Sequence, residues 1–128
     1  MIDPSEFIKK CRELGIEFFT GVPDSAMKSL CNGFCNELDE GNHVIAANEG
    51  SAIALATGAH LATGAVPLIY LQNSGQGNTL NPLISLSSKN VFSIPLILVV
   101  GWRGKPGLTD EPQHILQNRN IFLQFPRP

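Results

Sequence analysis

Two apolar runs, "VPLIYLQ" at residues 66–72 and "PLILVVG" at residues 95–101, constrain the fold more than any other feature of this chain. Neither alternates polar with apolar residues, so a strand built from either must be covered on both faces. The segments around them carry helical periodicity and helix signals. Asp3-Pro4-Ser5-Glu6 is a helix start, with Asp3 as cap, Pro4 in the first turn and Glu6 three residues after the cap; Phe7, Ile8, Cys11 and Leu14 then form one apolar face and Gly15 ends it. "IEFFT" at 16–20 is short, aromatic and β-prone, and "GVPDS" after it marks a strand-to-helix loop. A second helix presents Met27, Leu30, Cys31, Phe34 and Leu38 on one side and stops near Gly41. The strand "HVIAA", a small-residue helix from about Gly50 to Thr63, the loop "NSGQGN" after the first apolar run, and a helix through Leu80 to Ser87 complete the pattern. Strand-helix alternation with continuously apolar strands predicts an α/β domain: an open, doubly wound parallel sheet covered on both faces.

Composition narrows the classes of partner. A chain of 128 residues, 43% hydrophobic and 16% charged, suits one globular domain. Its formal net charge is -2, and its Lys and Arg residues are scattered without a basic run, so neither nucleic acid nor an anionic membrane surface is expected as partner. No apolar stretch reaches the roughly 18 residues of a membrane span. Met1 leads into Asp3 and Pro4 with no basic-then-apolar signal pattern, which points to the cytoplasm. The three cysteines include no CxxC pair. Cys31 and Cys35, four apart on a helix, share a face with Met27 and Leu38 as small hydrophobes, and with His43 they fall short of a closed metal site.

Ligands of open α/β sheets meet the loops at the carboxyl ends of the strands. Here those loops are "GVPDS", "NEGS", "NSGQGN" and "GWRGKPGLTDEPQH". Glu49 starts the small-residue helix, where a carboxylate complements the positive end of the helix dipole; against an apolar interface, desolvation would instead make it a proton donor to a ligand ring nitrogen. Asp24 is placed to cap the helix that follows it, as is Ser25. "NSGQGN" is either a tight turn or a close approach of backbone to a ligand, and it is no dinucleotide fingerprint, because Leu80 stands where the third glycine belongs. Arg103 and Lys105 either are solvated or meet a tetrahedral anion through charge-assisted hydrogen bonds.

Together, "GVPDS", "ANEGSAIALATGAHLATG", "LQNSGQGN" and "PLILVVGWRGKPGLTDEPQH" resemble the pyrimidine-binding domain of thiamine diphosphate-dependent 2-oxoacid decarboxylases, in the branch that acts on phosphonopyruvate and sulfopyruvate. The resemblance covers nearly all of residues 7–114. It implies that Glu49 hydrogen-bonds the aminopyrimidine ring nitrogen of thiamine diphosphate and promotes the tautomer that activates the cofactor. It further implies that Asp24 and His114 handle protons, with Gln113 near the substrate carboxylate, and that Asn73, Ser74 and Gln76 lie beside the cofactor ring. Arg103 and Lys105 would then face the phosphonate or sulfonate of a small anionic 2-oxoacid. The cofactor supplies an electron sink that such an acid lacks.

The same resemblance implies a partner. In this family, diphosphate and Mg2+ are held by a separate domain with a GDG motif, and the cofactor lies between two chains; no GDG occurs here, so a diphosphate-binding domain or subunit in a homo- or hetero-oligomer is expected and no metal ligand is assigned. Residues 1–118 read as the pyrimidine-binding domain and 119–128 as an irregular, divergent tail in which Pro126 and Pro128 break helices, as though the domain were truncated. The isolated chain is then expected to be inactive. Three functional classes follow: part of an enzyme yielding phosphonoacetaldehyde and carbon dioxide from phosphonopyruvate, the α subunit of a split sulfopyruvate decarboxylase, and a truncated non-catalytic relative.

Overall fold

The computed structural model describes residues 2–105, 107 and 109–115. Four parallel strands form one sheet in the order β2-β1-β3-β4: β1 (Phe19–Gly21), β2 (His43–Ile45), β3 (Leu68–Gln72) and β4 (Ile97–Gly101). Four helices connect or precede them: α1 (Pro4–Glu13), α2 (Lys28–Glu37), α3 (Glu49–Thr63) and α4 (Gln76–Pro82). The divergent tail at 119–128 lies outside the described residues.

Burial on β3 shows why its sequence does not alternate. Leu68 and Tyr70 enter a core with Phe19 and the apolar faces of α1 and α2 (Ile8, Cys11, Leu30, Cys31, Phe34 and Leu38), whereas Ile69 and Leu71 pack on the opposite face against Ala52, Ile53 and Ala56 of α3. Both faces are covered, so the doubly wound expectation holds. Gly21 pairs with Tyr70 across β1 and β3, and the approach is so close that a Cβ at position 21 would collide with the Tyr70 carbonyl oxygen and its ring. Phe34 stacks over Phe19 and Tyr70 with ring centroids 5.4 and 5.1 Å apart, and Tyr70 Oη shares a hydrogen bond of 2.9 Å with His43 Nε2.

The first helix forms as its sequence signals: Asp3 accepts from the Glu6 N–H at 2.9 Å. Its end explains why the first strand starts at Phe19 and not at Ile16. Gly15 adopts φ +80°, and the N–H groups of Gly15 and Ile16 donate back to Arg12 and Cys11 of the helix, a Schellman closure that removes Ile16 from any ladder. Cys35 is exposed although Cys31 is buried, since the apolar face of α2 turns through Leu30, Cys31, Phe34 and Leu38. "NSGQGN" is not a loop: a 3-10 turn at Asn73–Gly75 runs directly into α4, which continues as a π-type turn over Leu83–Ser87. Pro82 lies inside that helix, directly before the widened turn.

α3 is capped by Asn48, whose side chain accepts from Ser51 N–H at 2.9 Å, and closed by Gly64 at φ +75°. It buries Ala52, Ile53, Ala56 and Thr57 but leaves Leu55 and Leu61 exposed, so the helix is buried on one face only. No helix among the described residues is long and apolar enough to cross a membrane.

Candidate active site

The strand order changes direction between β1 and β3, so the loops after those strands flank the crevice where open α/β sheets receive ligands. Asp24 lies on the first of these loops. Only 7% of it is exposed, and it makes no side-chain cap bond to the 3-10 turn at Ser25–Met27, contrary to the capping expectation. Among the described residues both carboxylate oxygens are buried without a hydrogen-bond partner, and Oδ2 lies where a Cβ on Gly101 would stand. The Met27 side chain covers the same glycine. Glycine at 101 thus leaves room for a carboxylate whose burial without a partner is costly.

Glu49 is the first residue of α3, where the dipole favours its charge, and its carboxylate also has specific neighbours. Oε2 accepts from Asn78 Nδ2 of α4 at 2.8 Å, while the Oε1 side lies against the Cα of Gly75, where a Cβ would collide. The backbone of Gly75, at φ -80° and ψ -9°, suits any residue. Glycine is required there by the carboxylate, which is half-buried.

The end of β3 ties down the segment after β4 through two adjacent side chains. Asn73 is buried, and its amide donates to the Arg103 carbonyl at 2.9 Å and accepts from the Arg103 N–H at 3.1 Å, so it clamps the loop. Gln72 Nε2 donates to Ser74 Oγ at 2.7 Å and meets His114 Nδ1 at 3.1 Å. Gln76 Oε1 is buried without a partner among the described residues. The loop closes on itself at Asp110, which pairs with the Arg103 guanidinium at 2.6 Å and accepts from the N–H groups of Gly104 and Glu111, each at 2.8 Å. The Arg103 hydrogen bond, with the two N–H donors, pulls the Asp110 carboxyl down to about 2. Gly104, at φ +70°, permits the His114 carbonyl to pack against its Cα.

The structure therefore gathers His114 with Ser74 through Gln72, and separately Glu49 with the 75–78 turn. Arg103, expected at an anion, is engaged by Asp110, because a planar guanidinium matches a nearby carboxylate in two hydrogen bonds. Lys105 is exposed. Gln113, expected beside a substrate carboxylate, is exposed and donates to Glu111, whose carboxylate stands 3.6 Å from His114 Nε2. Gln72, Gly75, Asn78 and Asp110 escaped the sequence-based assignment. Gln72 and Asn78 meet partners 42 and 29 residues away, which no local spacing reports, whereas Asp110 is engaged within its own loop.

Comparison with known proteins gives this arrangement a family. Residues 5–122 match the thiamine pyrophosphate enzyme family, N-terminal TPP binding domain. The chain is 37% identical over 119 residues to phosphonopyruvate decarboxylase of Streptomyces viridochromogenes, an alignment covering 93% of this chain and 29% of that protein. It is 32% identical over 96 residues to sulfopyruvate decarboxylase subunit alpha of Methanococcus maripaludis, covering 75% of this chain and 55% of the relative. The chain thus spans under a third of the first relative and about half of the second. The crystal structure of benzoylformate decarboxylase from Polynucleobacter necessarius superposes with a TM-score of 0.68 at 24% identity, over 88% of this chain and 20% of that one, and shares the fold. With its parallel sheet, flanking helices and a match over residues 5–122, this chain belongs to the thiamine pyrophosphate enzymes as their N-terminal TPP-binding domain.

Proposed function

We propose that this chain, over residues 1–118, is the pyrimidine-binding part of a thiamine diphosphate-dependent decarboxylase that converts phosphonopyruvate to phosphonoacetaldehyde and carbon dioxide. The observation that carries the proposal is the setting of Glu49: a carboxylate at the first turn of α3, held by Asn78 and laid against a glycine that leaves it room. The residues fit the pyrimidine end of the cofactor on two grounds. Gly75 forms a cradle that a Cβ would fill, and Asp24 and Gln76 bring buried oxygens, unpartnered among the described residues, to the same end of the sheet. Bound thiamine diphosphate supplies the sink for the electrons released with carbon dioxide. Glu49 holds or gives a proton at its carboxylate, toward the ring nitrogen of the pyrimidine. Asp24 and His114 move protons at the substrate end, and Ser74 and Gln76 offer polar contacts beside the ring. Of the two cations expected at the anion, Arg103 has Asp110 as partner, and Lys105 would meet the phosphonate.

On this reading the diphosphate and its Mg2+ are held by a second domain or subunit. The subunit name of the sulfopyruvate relatives, and this chain's greater coverage of them, favour a second reading: the α subunit of a split sulfopyruvate decarboxylase, working with a partner chain in the cytoplasm. Phosphonate and sulfonate are both tetrahedral anions and would use the same groups. The deciding test is Glu49→Gln in the chain reconstituted with a diphosphate-binding partner and offered each 2-oxoacid. Loss of most decarboxylation with an unchanged circular dichroism spectrum is expected; near-normal turnover would refute the assignment.

A further inference from the structure

Gln72 occupies the last position of β3, half-buried, with a side chain that joins two functional candidates. Its Nε2 serves Ser74 Oγ at 2.7 Å and His114 Nδ1 at 3.1 Å. An amide nitrogen only donates, so the ring nitrogen it meets must accept and carries no proton in the neutral ring. The opposite ring nitrogen gives an independent indication. Glu111 Oε2 stands 3.6 Å from His114 Nε2, and a carboxylate favours a proton on the nitrogen it faces. Gln113 donates to that same Glu111 oxygen and keeps the carboxylate turned toward the ring. Gln113, Glu111, His114, Gln72 and Ser74 therefore form one chain of contacts in which both sides of the imidazole call for the same tautomer. Of the remaining charged groups of this loop, Arg103 and Asp110 are paired with each other and Lys105 is exposed. Gln72, Ser74 and His114 are half-buried, and a half-buried polar chain specifies one arrangement because breaking any link strands its neighbours.

We propose that Gln72 is a positioning residue that closes His114 Nδ1 as an acceptor and holds the ring as its Nε2–H tautomer, so that Nε2 is the nitrogen from which His114 gives a proton. The proposal rests on the proton-handling role given to His114 above and names the atom that would perform it. Adjacent side chains at and just after the end of β3 then divide the work: Asn73 fixes the start of the loop after β4 through Arg103, and Gln72 fixes its end through His114.

The test reads the ring directly. Long-range proton-nitrogen NMR spectra of the full chain with labelled histidine, at a pH where the ring is neutral, distinguish the two tautomers; His114 is assigned among the three histidines by its loss in His114→Asn. Wild type is expected to carry its proton on Nε2 with Nδ1 hydrogen-bonded. Gln72→Met, similar in volume but without a donor, should remove the hydrogen-bond shift of Nδ1. Gln72→Glu, which offers only acceptors, should move the proton to Nδ1. A wild-type ring protonated at Nδ1 overturns the proposal, as do folded variants whose His114 signals match wild type. If a variant fails to fold, the wild-type spectrum alone decides. In the reconstituted decarboxylase, Gln72→Met should lower kcat about tenfold with KM nearly unchanged. An inert reconstituted enzyme whose ring still carries the Nε2 proton would sink the functional reading and leave this assignment standing.

Discussion

Gly75→Ala separates what holds the fold from what the site requires. The backbone at position 75 lies at φ -80°, ψ -9°, open to alanine, and the three atoms nearest an added Cβ all belong to the Glu49 side chain. To regain van der Waals contact that carboxylate must retreat by on the order of 1 Å. Two stability effects oppose each other. Alanine restricts the unfolded chain, which favours folding by about 0.4–1 kcal/mol where the backbone is compatible. Loosening the Asn78–Glu49 hydrogen bond costs up to about 1 kcal/mol, discounted because Asn78 is exposed and Glu49 only half-buried. The net change should stay within about 1 kcal/mol. Function should respond otherwise, since a reacting group misplaced by about 1 Å commonly costs on the order of a hundredfold in rate. Urea denaturation of the chain, read beside decarboxylation by the reconstituted enzyme, measures both. A folded Gly75→Ala protein with turnover within about threefold of wild type would mean the cradle is not what positions Glu49, and the cofactor-facing role would fall with it.

Two further perturbations test the core beneath the site. Gly21→Ala places a Cβ against the Tyr70 carbonyl oxygen and within 2.7 Å of its ring Cγ, at the β1–β3 junction, where Val22 N–H donates to that same carbonyl at 3.0 Å. Overpacking and the strained ladder should cost about 3 kcal/mol, and a urea midpoint equivalent to under about 1 kcal/mol of destabilisation would contradict the close approach. His43, partly buried and hydrogen-bonded to Tyr70, is held below its ordinary value of 6.5 by desolvation, so the unfolded chain takes up a proton that the folded chain resists. Stability should therefore fall as pH drops below about 6.5 and be level just above it. A His43→Gln chain should lose that slope; the same slope in the variant would place its origin elsewhere.

The alternation of strand and helix, the parallel sheet and the end of the first helix were legible in the sequence because each rests on local physics. Continuous apolar strands report two covered faces, and Asp3, Pro4 and Glu6 act within one turn. The candidacy of Glu49 was legible too, as a solitary acid ahead of 39 residues, 50–88, without Asp, Glu, Lys or Arg. What Glu49 touches was not: Gly75 and Asn78 reach it only because α3 and α4 pack side by side, and Gly75 shows no left-handed backbone to mark it. Asp24 read as a helix cap because capping is local, yet the packing of Met27 and Gly101 buries it without a partner among the described residues. Arg103 read as an anion-binding group, and the fold of its own loop gives it Asp110. Periodicity and caps are properties of neighbours in the chain, so sequence determines them; a carboxylate's partner is whichever group the folded backbone brings within 3 Å, and that only the tertiary structure decides.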